Sequence, residues 1–213
     1  MDFELVESSQ LTQRIWAVDG PLMVLPCTDV VLATRAGEFA AARAMAKGLV
    51  LAVHDEREEG FVAIANRVFA ASRSAWFGYM AQDAFAGRDW LGLALQALHR
   101  QHGVLLGFND GKWQGALASF GLASRAWAAT NYAQDRGGLF HSGYARHYAD
   151  TELTVLALAS KGYVYEPNSV LLEVDWGKDV SVVDAQDRSL FRHRVQDGFG
   201  GRVREPALLE MFA

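Results

Sequence analysis

The chain has 213 residues, of which 51% are hydrophobic and 21% are charged. This length and balance indicate one globular domain with a buried core and exclude a disordered or fibrous chain. Twenty Lys and Arg stand against 25 Asp and Glu, for a formal net charge of −5. Such acidity disfavours nucleic acid as a partner, although it does not exclude a local basic patch.

Cysteine usage and the N-terminus bear on the compartment. Cys27 is the single cysteine, which rules out an intramolecular disulfide and is typical of a reducing compartment. Residues 1–4 lack the positive start of a signal peptide, and the apolar core of one does not follow them. No apolar run approaches the roughly 20 residues of a membrane span. We therefore expect a soluble, cytoplasmic protein without a transmembrane segment.

Apolar runs alternate with helical patterns through the first half of the chain, after residues 1–20, which carry no clear pattern. Hydrophobic periodicity and turn residues predict, in order, strand 21–26, helix 37–47, strand 49–53, helix 61–71 and strand 76–81. Strands that alternate with helices form a parallel sheet with right-handed crossovers. The first half therefore predicts an α/β fold.

The second half continues with shorter elements. The patterns predict helix 89–101, strand 104–108, strand 117–120, helix 124–129, helix 148–161, and strands 163–165 and 170–174. Residues 132–142 contain glycine and predict an irregular loop. A charged, helical tail runs from residue 184 onwards, broken at residues 198–201 by three glycines.

The loop after the first predicted strand carries no phosphate-binding signature. Residues 26–29 read Pro-Cys-Thr-Asp, and neither G-x-G-x-x-G nor G-x-x-x-x-G-K-[ST] occurs in the chain. Any nucleotide must therefore be held without the Rossmann or P-loop device. The missing glycine fingerprint disfavours a nicotinamide-dependent oxidoreductase.

Four aspartates stand at predicted strand ends or loop starts: Asp55, Asp83, Asp110 and Asp150. Carboxylates that meet at one edge of a sheet can hold a hard divalent cation such as Mg²⁺ or Mn²⁺. The alternative is that each acid caps its own helix or turn. Asp150 opens a predicted helix, where the helix dipole stabilises an acid. A desolvated acid at that position could instead act as a general base.

Basic residues offer phosphate contacts, with solvated helix faces as the alternative. The candidates in the first half are Arg35, Arg67 and Arg73. The tail carries a second group, which could meet an anionic acceptor or a membrane surface, or could simply be solvated. It comprises Arg188, Arg192, Arg194, Arg202 and Arg204. Cys27 has no His partner at a recognisable spacing, so a nucleophilic role is disfavoured.

Over residues 21–176 the order of these features resembles the nucleotide-diphospho-sugar transferases of the GT-A fold. The resemblance is closest to small family 2-like glycosyltransferases. It implies an α/β fold with a single GT-A-like domain over residues 1–213, in which helices flank a mostly parallel central sheet with a small antiparallel acceptor-side portion. Its expected parts are a nucleotide-binding half at 21–85, a metal and acceptor half at 86–176, and a helical C-terminal tail at 177–213.

The resemblance also implies a set of nucleotide-binding residues. The end of the first strand, Leu25-Pro26-Cys27-Thr28, is similar to the segment that meets the nucleobase, and Asp55 stands where an acid lies near uracil or ribose. Asn66 belongs to a segment that resembles the helix after the second strand. The implied nucleotide contacts are Pro26, Thr28, Arg35, Asp55, Asn66, Arg67 and Gln82.

The implied metal and catalytic residues come from three later segments. Ala81-Gln82-Asp83-Ala84 stands at the place of the family's D-x-D motif and keeps one acid, Asp83. The late strand supplies Glu173 or Asp175 where the family often has a histidine. Asp150-Thr151-Glu152-Leu153 resembles the segment with the catalytic base, which would be Asp150.

The resemblance, together with the ordered strand-end acids, implies a metal-dependent, inverting glycosyltransferase of the hexosyltransferase type. It would use Mn²⁺ or Mg²⁺ to move a sugar from a nucleotide-diphosphate donor, with a UDP-sugar favoured, to the hydroxyl of an unknown acceptor. The alternative is a nucleotide-sugar-binding protein of the same fold with weak or no turnover, which the single acid of the metal motif would explain.

Overall fold

Two sheets organise the protein, whose computed structural model describes residues 1–133, 138–174 and 184–212. The strands of the described residues are β1 (Asp2–Glu7), β2 (Trp16–Ala17), β3 (Leu22–Cys27), β4 (Leu49–His54), β5 (Ser72–Arg73), β6 (Trp76–Tyr79), β7 (Ala84–Ala86), β8 (Leu105–Asn109), β9 (Gly121–Ser124) and β10 (Tyr163–Glu173). Strands β2 and β5 pair with each other, and the others form one eight-stranded sheet.

Helices lie between and after these strands. They are α1 (Val30–Arg43), α2 (Phe61–Ala70), α3 (Trp90–Gln101), α4 (Arg125–Asn131), α5 (Ala149–Ala159), α6 (Ala185–Gln196), α7 (Gly198–Gly201) and α8 (Pro206–Glu210). A 3₁₀ turn at Ser8–Gln10 follows β1. Across the described ranges, no helix combines the length and apolar character needed to cross a lipid bilayer.

The large sheet has the strand order β1-β4-β3-β6-β9-β8-β10-β7. Its first four strands are parallel, β9 runs antiparallel to both β6 and β8, and β10 is again parallel to β8. Two reversals at β9 restore the original direction, so β3, β4, β6, β8 and β10 all end at the same edge, called here the carboxyl edge. The predicted mostly parallel sheet with a small antiparallel portion is confirmed.

Both faces of the central strands are covered, as in other sheets flanked by helices. In β3 the side chains of Leu22 and Val24 join one core cluster with α2 and α5, while Met23 and Leu25 join a second cluster with α1 and α3. Every residue of β3 is buried. This explains why the strand reads as a continuous apolar run rather than an alternating one.

The N-terminal residues form a strand that no sequence pattern indicated. β1 pairs in parallel with β4 along its whole length, from Asp2 opposite Leu49 to Glu7 opposite His54. It lies at the edge of the sheet, where a strand can carry polar side chains. Since its half-buried residues are mixed with acids, its burial pattern is too weak to predict a strand.

Three predictions about individual elements were wrong. Helix α1 begins at Val30, well before the predicted start at 37, because Asp29 caps it by accepting a hydrogen bond from the Leu32 amide at 2.9 Å. Residues 117–120 are not a strand, since the backbone of Ala118 bonds to the side chains of Tyr79 and Thr154 instead. The strands predicted on either side of Pro167 are one strand, β10, with a register shift.

Candidate functional site

The carboxyl edge of the sheet brings together most of the residues that the sequence singled out. Thr28 directly follows β3, Asp55 follows β4, and Asp110 follows β8. Asp83 lies in the short connection between β6 and β7, and Glu173 ends β10. Ligands of open α/β sheets bind at this edge, beyond the carboxyl ends of the strands.

Gln82 joins the loops that follow β6 and β3. Its Oε1 atom accepts hydrogen bonds from the backbone amides of Thr28 at 2.9 Å and Asp29 at 3.0 Å. Pro26, one step before the end of β3, is buried and lies opposite Val53 of β4. Gln82 therefore fixes the loop that starts α1, in addition to any contact with a ligand.

The carboxylate of Asp55 shapes the loop between β4 and α2. Oδ1 accepts from the amide of Glu59 at 2.8 Å and Oδ2 from the amide of Gly60 at 2.7 Å. Asp55 is 9% exposed, and its own amide donates to the carbonyl of Cys27 on the neighbouring strand. The contact with a nucleoside that the resemblance implies for Asp55 stays a prediction.

The two candidates on α2 bond within the protein. Asn66 exchanges two hydrogen bonds with the backbone of Phe140, at 2.9 and 3.0 Å. Arg67 forms an ion pair with Glu59 and donates to the carbonyl of Ser8 at 2.9 Å. These contacts hold the segments around Ser8 and Phe140 to α2. Nucleotide contacts by Asn66 and Arg67 stay predictions.

A cavity of about 380 Å³ opens between α1 and β7. Two charged residues, Arg35 and Asp83, are among those that line it. The other lining residues are Leu32, Ala36, Phe39, Gln82, Ala84, Phe85 and Val174. The structure thus places three predicted site residues, Arg35, Gln82 and Asp83, around one opening.

Asp83, which directly precedes β7, and Glu173, which ends the neighbouring strand β10, lie on adjacent segments at this edge. The carbonyl of Asp83 accepts from the amide of Val174 at 3.3 Å, and Ala84 lies opposite Glu173 in the β7–β10 ladder. Asp83 is 8% exposed. The third predicted ligand, Asp175, lies outside the described residues.

The described residues contain no group of three or more His, Cys, Asp or Glu side chains that could hold a metal. A dedicated protein cage is not what Mg²⁺ usually requires, however. It is commonly bound through one or two carboxylates, with substrate phosphates and water completing the shell. The buried carboxylate of Asp83, beside a cavity at the carboxyl edge, fits that donor set.

Asp150 stands in the first turn of α5. Its Oδ1 accepts from the amide of Thr151 at 2.8 Å, and its carbonyl accepts from the hydroxyl of Thr154 at 2.7 Å. Burial raises the pKa of Asp150 from 3.8 to about 6, the hydrogen bonds with Thr151 oppose this shift, and the charge of Glu173 adds to it. A carboxylate with a pKa near the working pH is suited to accept a proton as a general base.

The two remaining candidates, the carboxylate of Asp110 and the thiol of Cys27, have structural roles. Asp110 is fully buried, and its carboxylate accepts from the amides of Lys112 and Trp113 and from the hydroxyl of Ser119. The turn-capping alternative is thus the one that the structure supports. Burial raises the pKa of the Cys27 thiol to about 11, which keeps it protonated at neutral pH and unsuited to nucleophilic attack.

Sequence reasoning missed a group of buried residues next to Asp150. Glu152 is fully buried and forms a two-point ion pair with Arg194 of α6, with contacts of 2.6 and 3.2 Å. Tyr144 donates to the same carboxylate at 2.8 Å. An acid inside the apolar run of α5 was the available signal, because a buried acid requires a partner.

No family model matches this chain, and no curated protein matches it. Solved structures do. A mannosyltransferase, PcManGT from Pyrobaculum calidifontis, solved with GDP-Man and Mn²⁺, superposes with a TM-score of 0.56 over 96% of this chain and 74% of that one, at 12% identity. The chain has a GT-A-like fold.

A second group of neighbours supports the same GT-A-like fold. TarS 1–349 from S. aureus superposes with a TM-score of 0.65 over 91% of this chain and 70% of that one, at 8% identity. Its complex with UDP-GlcNAc superposes with a TM-score of 0.57 over the same shares, at 9% identity. At such identities the likeness concerns the fold, and the chemistry has to be argued from the residues.

Proposed function

We propose that the protein is a metal-dependent, inverting glycosyltransferase that takes its sugar from a UDP-sugar. One observation carries this proposal: the charge of Glu173 contributes to the raised pKa of Asp150, about 6, and Glu173 ends β10 at the carboxyl edge, opposite Ala84 and next to Asp83. The GT-A-like fold supports it further, since neighbours of this fold were solved with GDP-Man and Mn²⁺ and with UDP-GlcNAc.

On the donor side, the proposed contacts follow the carboxyl edge. Pro26, Thr28 and Asp55 would meet the nucleoside, because they stand at the ends of adjacent parallel strands. Arg35 would pair with phosphate oxygens, since it lines the cavity together with Gln82. Asn66 and Arg67 belong to the same proposed set, one helix further along the chain.

Asp83, together with Glu173 or Asp175, would hold Mn²⁺ or Mg²⁺ on the diphosphate. When bound, the cation neutralises charge that develops on the leaving group. Two carboxylates suffice for a cation whose other ligands are phosphate oxygens and water.

In the proposed chemical step, Asp150 accepts the proton of the acceptor hydroxyl. An acceptor hydroxyl would attack the anomeric carbon of the sugar, and its proton would pass to the carboxylate of Asp150. The new carbon–oxygen bond forms as the bond from the anomeric carbon to the phosphate oxygen breaks, and that electron pair leaves with the nucleoside diphosphate. Attack opposite the leaving group inverts the anomeric centre.

Calorimetric titration of the protein with UDP, UDP-GlcNAc and GDP-mannose, each with and without Mn²⁺, tests the donor side. We expect Mn²⁺-dependent binding of at least one nucleotide and slow release of its sugar to water. Failure of every nucleotide to bind, with or without metal, would refute the proposal.

A second candidate is a nucleotide-sugar-binding protein without turnover, which the single acid of the Gln82-Asp83 segment favours. Hydrolysis separates the two candidates, because a transferase of this kind can pass its sugar to water while a binder cannot. Binding that is accompanied by no detectable sugar release over many hours would favour the binder.

A further inference from the structure

Helix α6 lies along the segment that carries Asp150. Three residues of one helical face, Asp187, Phe191 and Arg194, follow each other at spacings of four and three, so they point in one direction. Their partners follow the same order along the chain. Asp187 contacts the loop of residues 145–147, Phe191 contacts Tyr148, and Arg194 contacts Glu152. Asp150 falls between the second and third of these contacts.

The first contact gathers consecutive backbone amides onto one carboxylate. Asp187 accepts from the amides of Ala145 at 2.9 Å, Arg146 at 2.9 Å and His147 at 2.8 Å. Asp187 is 2% exposed. These amides precede α5, so a single buried anion sets the path by which the chain enters that helix.

The second contact stabilises a backbone conformation that residues other than glycine rarely adopt. Tyr148, the residue before α5, has φ 65° and ψ −6°, in the left-handed region. Its ring stacks on Phe191 with centroids 4.7 Å apart and planes 21° apart. Because this conformation is not favoured locally, tertiary contacts must maintain it.

The third contact anchors the first turn of α5 itself. Arg194 Nη2 lies 2.6 Å from Oε1 of Glu152, and Nε lies 3.2 Å from Oε2. Glu152 is fully buried and the side chain of Arg194 is 13% exposed. A fork-to-carboxylate contact with this geometry restricts rotation of the turn as well as its position.

We propose that α6 is a positioning element for the catalytic base, and that Asp187 is its principal positioning residue. This inference rests on the proposed function of Asp150. Asp187 touches no reacting atom in this scheme; it holds the loop of residues 145–147, and that loop, with Tyr148, determines where Asp150 stands. A small displacement of a catalytic group can reduce turnover by roughly 100-fold without loss of substrate binding.

The test measures sugar release from UDP-GlcNAc, or from whichever donor binds most tightly, in parallel with the donor Kd. For Asp187→Ala we expect kcat to fall roughly 10- to 100-fold and the Kd to change less than about twofold. Asp187→Asn should lie between Asp187→Ala and the wild type, because its amide oxygen still accepts hydrogen bonds. Glu205→Gln, an exposed acid on the same tail, is the matched control and should behave as wild type.

Amide hydrogen exchange supplies a second readout, with faster exchange expected at residues 145–147 in Asp187→Ala than in Glu205→Gln. If Asp187→Ala does not fold, Arg194→Lys tests the same helix, because it keeps the charge and loses the fork geometry. Wild-type kcat in Asp187→Ala with faster exchange at the loop would overturn the inference alone. A wild-type protein that binds and hydrolyses no donor would instead overturn the proposed function, and the inference with it.

Discussion

Asp55 and Asp150 have different proposed roles, a nucleoside contact and a general base, and they are held in different ways. Each carboxylate oxygen of Asp55 accepts a backbone amide, from Glu59 and from Gly60, so the acid builds its own loop. One oxygen of Asp150 accepts the amide of Thr151, and burial raises the pKa of this group to about 6. The carboxylate of Asp55 is thus committed to its loop, whereas a desolvated acid with a raised pKa is suited to accept a proton near neutral pH.

The same contrast extends to what surrounds each acid. On the proposed donor side, Gln82 ties neighbouring loops together through the amides of Thr28 and Asp29. Around Asp150, on the proposed acceptor side, support comes from helix α6, through Asp187 and Arg194. Substitutions on the donor side should therefore change binding, and those on the acceptor side should change turnover.

The largest effect is expected for Asp150→Asn, which removes the base and keeps the shape. Turnover should fall by roughly 10²- to 10⁴-fold, the usual contribution of general base catalysis, while the donor Kd changes little. Steady-state sugar release and calorimetry measure the two quantities. Turnover within threefold of the wild type would show that Asp150 is not the base.

A smaller effect, on binding, is expected for Asp83→Asn. The loss of a carboxylate at a cation site should weaken Mn²⁺-dependent UDP binding by at least about 10-fold. Calorimetry at several Mn²⁺ concentrations measures this, with the exposed acid variant Glu38→Gln as the control on α1. Equal loss of UDP binding in metal-free buffer would contradict a role for Asp83 in holding the metal.

Gln82→Ala should have a moderate effect confined to the donor side. It removes the acceptor for two exposed backbone amides, each bond worth about 0.5 kcal/mol, so we expect donor affinity to fall roughly fivefold with kcat nearly unchanged. Gln82→Glu keeps an acceptor oxygen and should retain most of the affinity. A larger loss in kcat than in affinity would break the division between the two sides.

The smallest effect concerns stability. The pKa of Asp150 is about 6 in the folded protein, above its ordinary value of 3.8. The protonated carboxyl group is therefore the form that favours folding. Its contribution to the free energy of unfolding is complete below about pH 4 and is lost as pH rises through 6. Above pH 6 the ionised group therefore costs stability. For Asp150→Asn we expect a gain on the order of 1 kcal/mol at pH 8 and a smaller gain at pH 5, after allowing for partial exposure.

Urea unfolding of both proteins at pH 5 and pH 8 measures this gain. An equal difference in unfolding free energy at the two pH values would contradict the raised pKa of Asp150.

Much of the fold could be predicted because its signals are local. The apolar runs that became β3, β4 and β8 are buried on both faces, so they stand out in the sequence. The edge strand β1 could not be predicted, because its apolar residues are mixed with acids and the strand is defined by its pairing with β4. The start of α1 was predicted too late, because Asp29 is a residue type that favours turns as well as helix caps. In the structure its side chain caps the helix.

The sequence by itself determined the alternation of strands and helices, and hence that Thr28, Asp55, Asp83 and Glu173 reach one edge of the sheet, because parallel strands end together. Only the tertiary structure decided which acids build loops and that the pKa of Asp150 is raised. Burial and partners depend on contacts between residues far apart in the chain, such as those of Asp187 with the loop before α5. Such contacts leave no periodic trace in a sequence, since each partner is a single polar residue that would suit a solvated surface equally well.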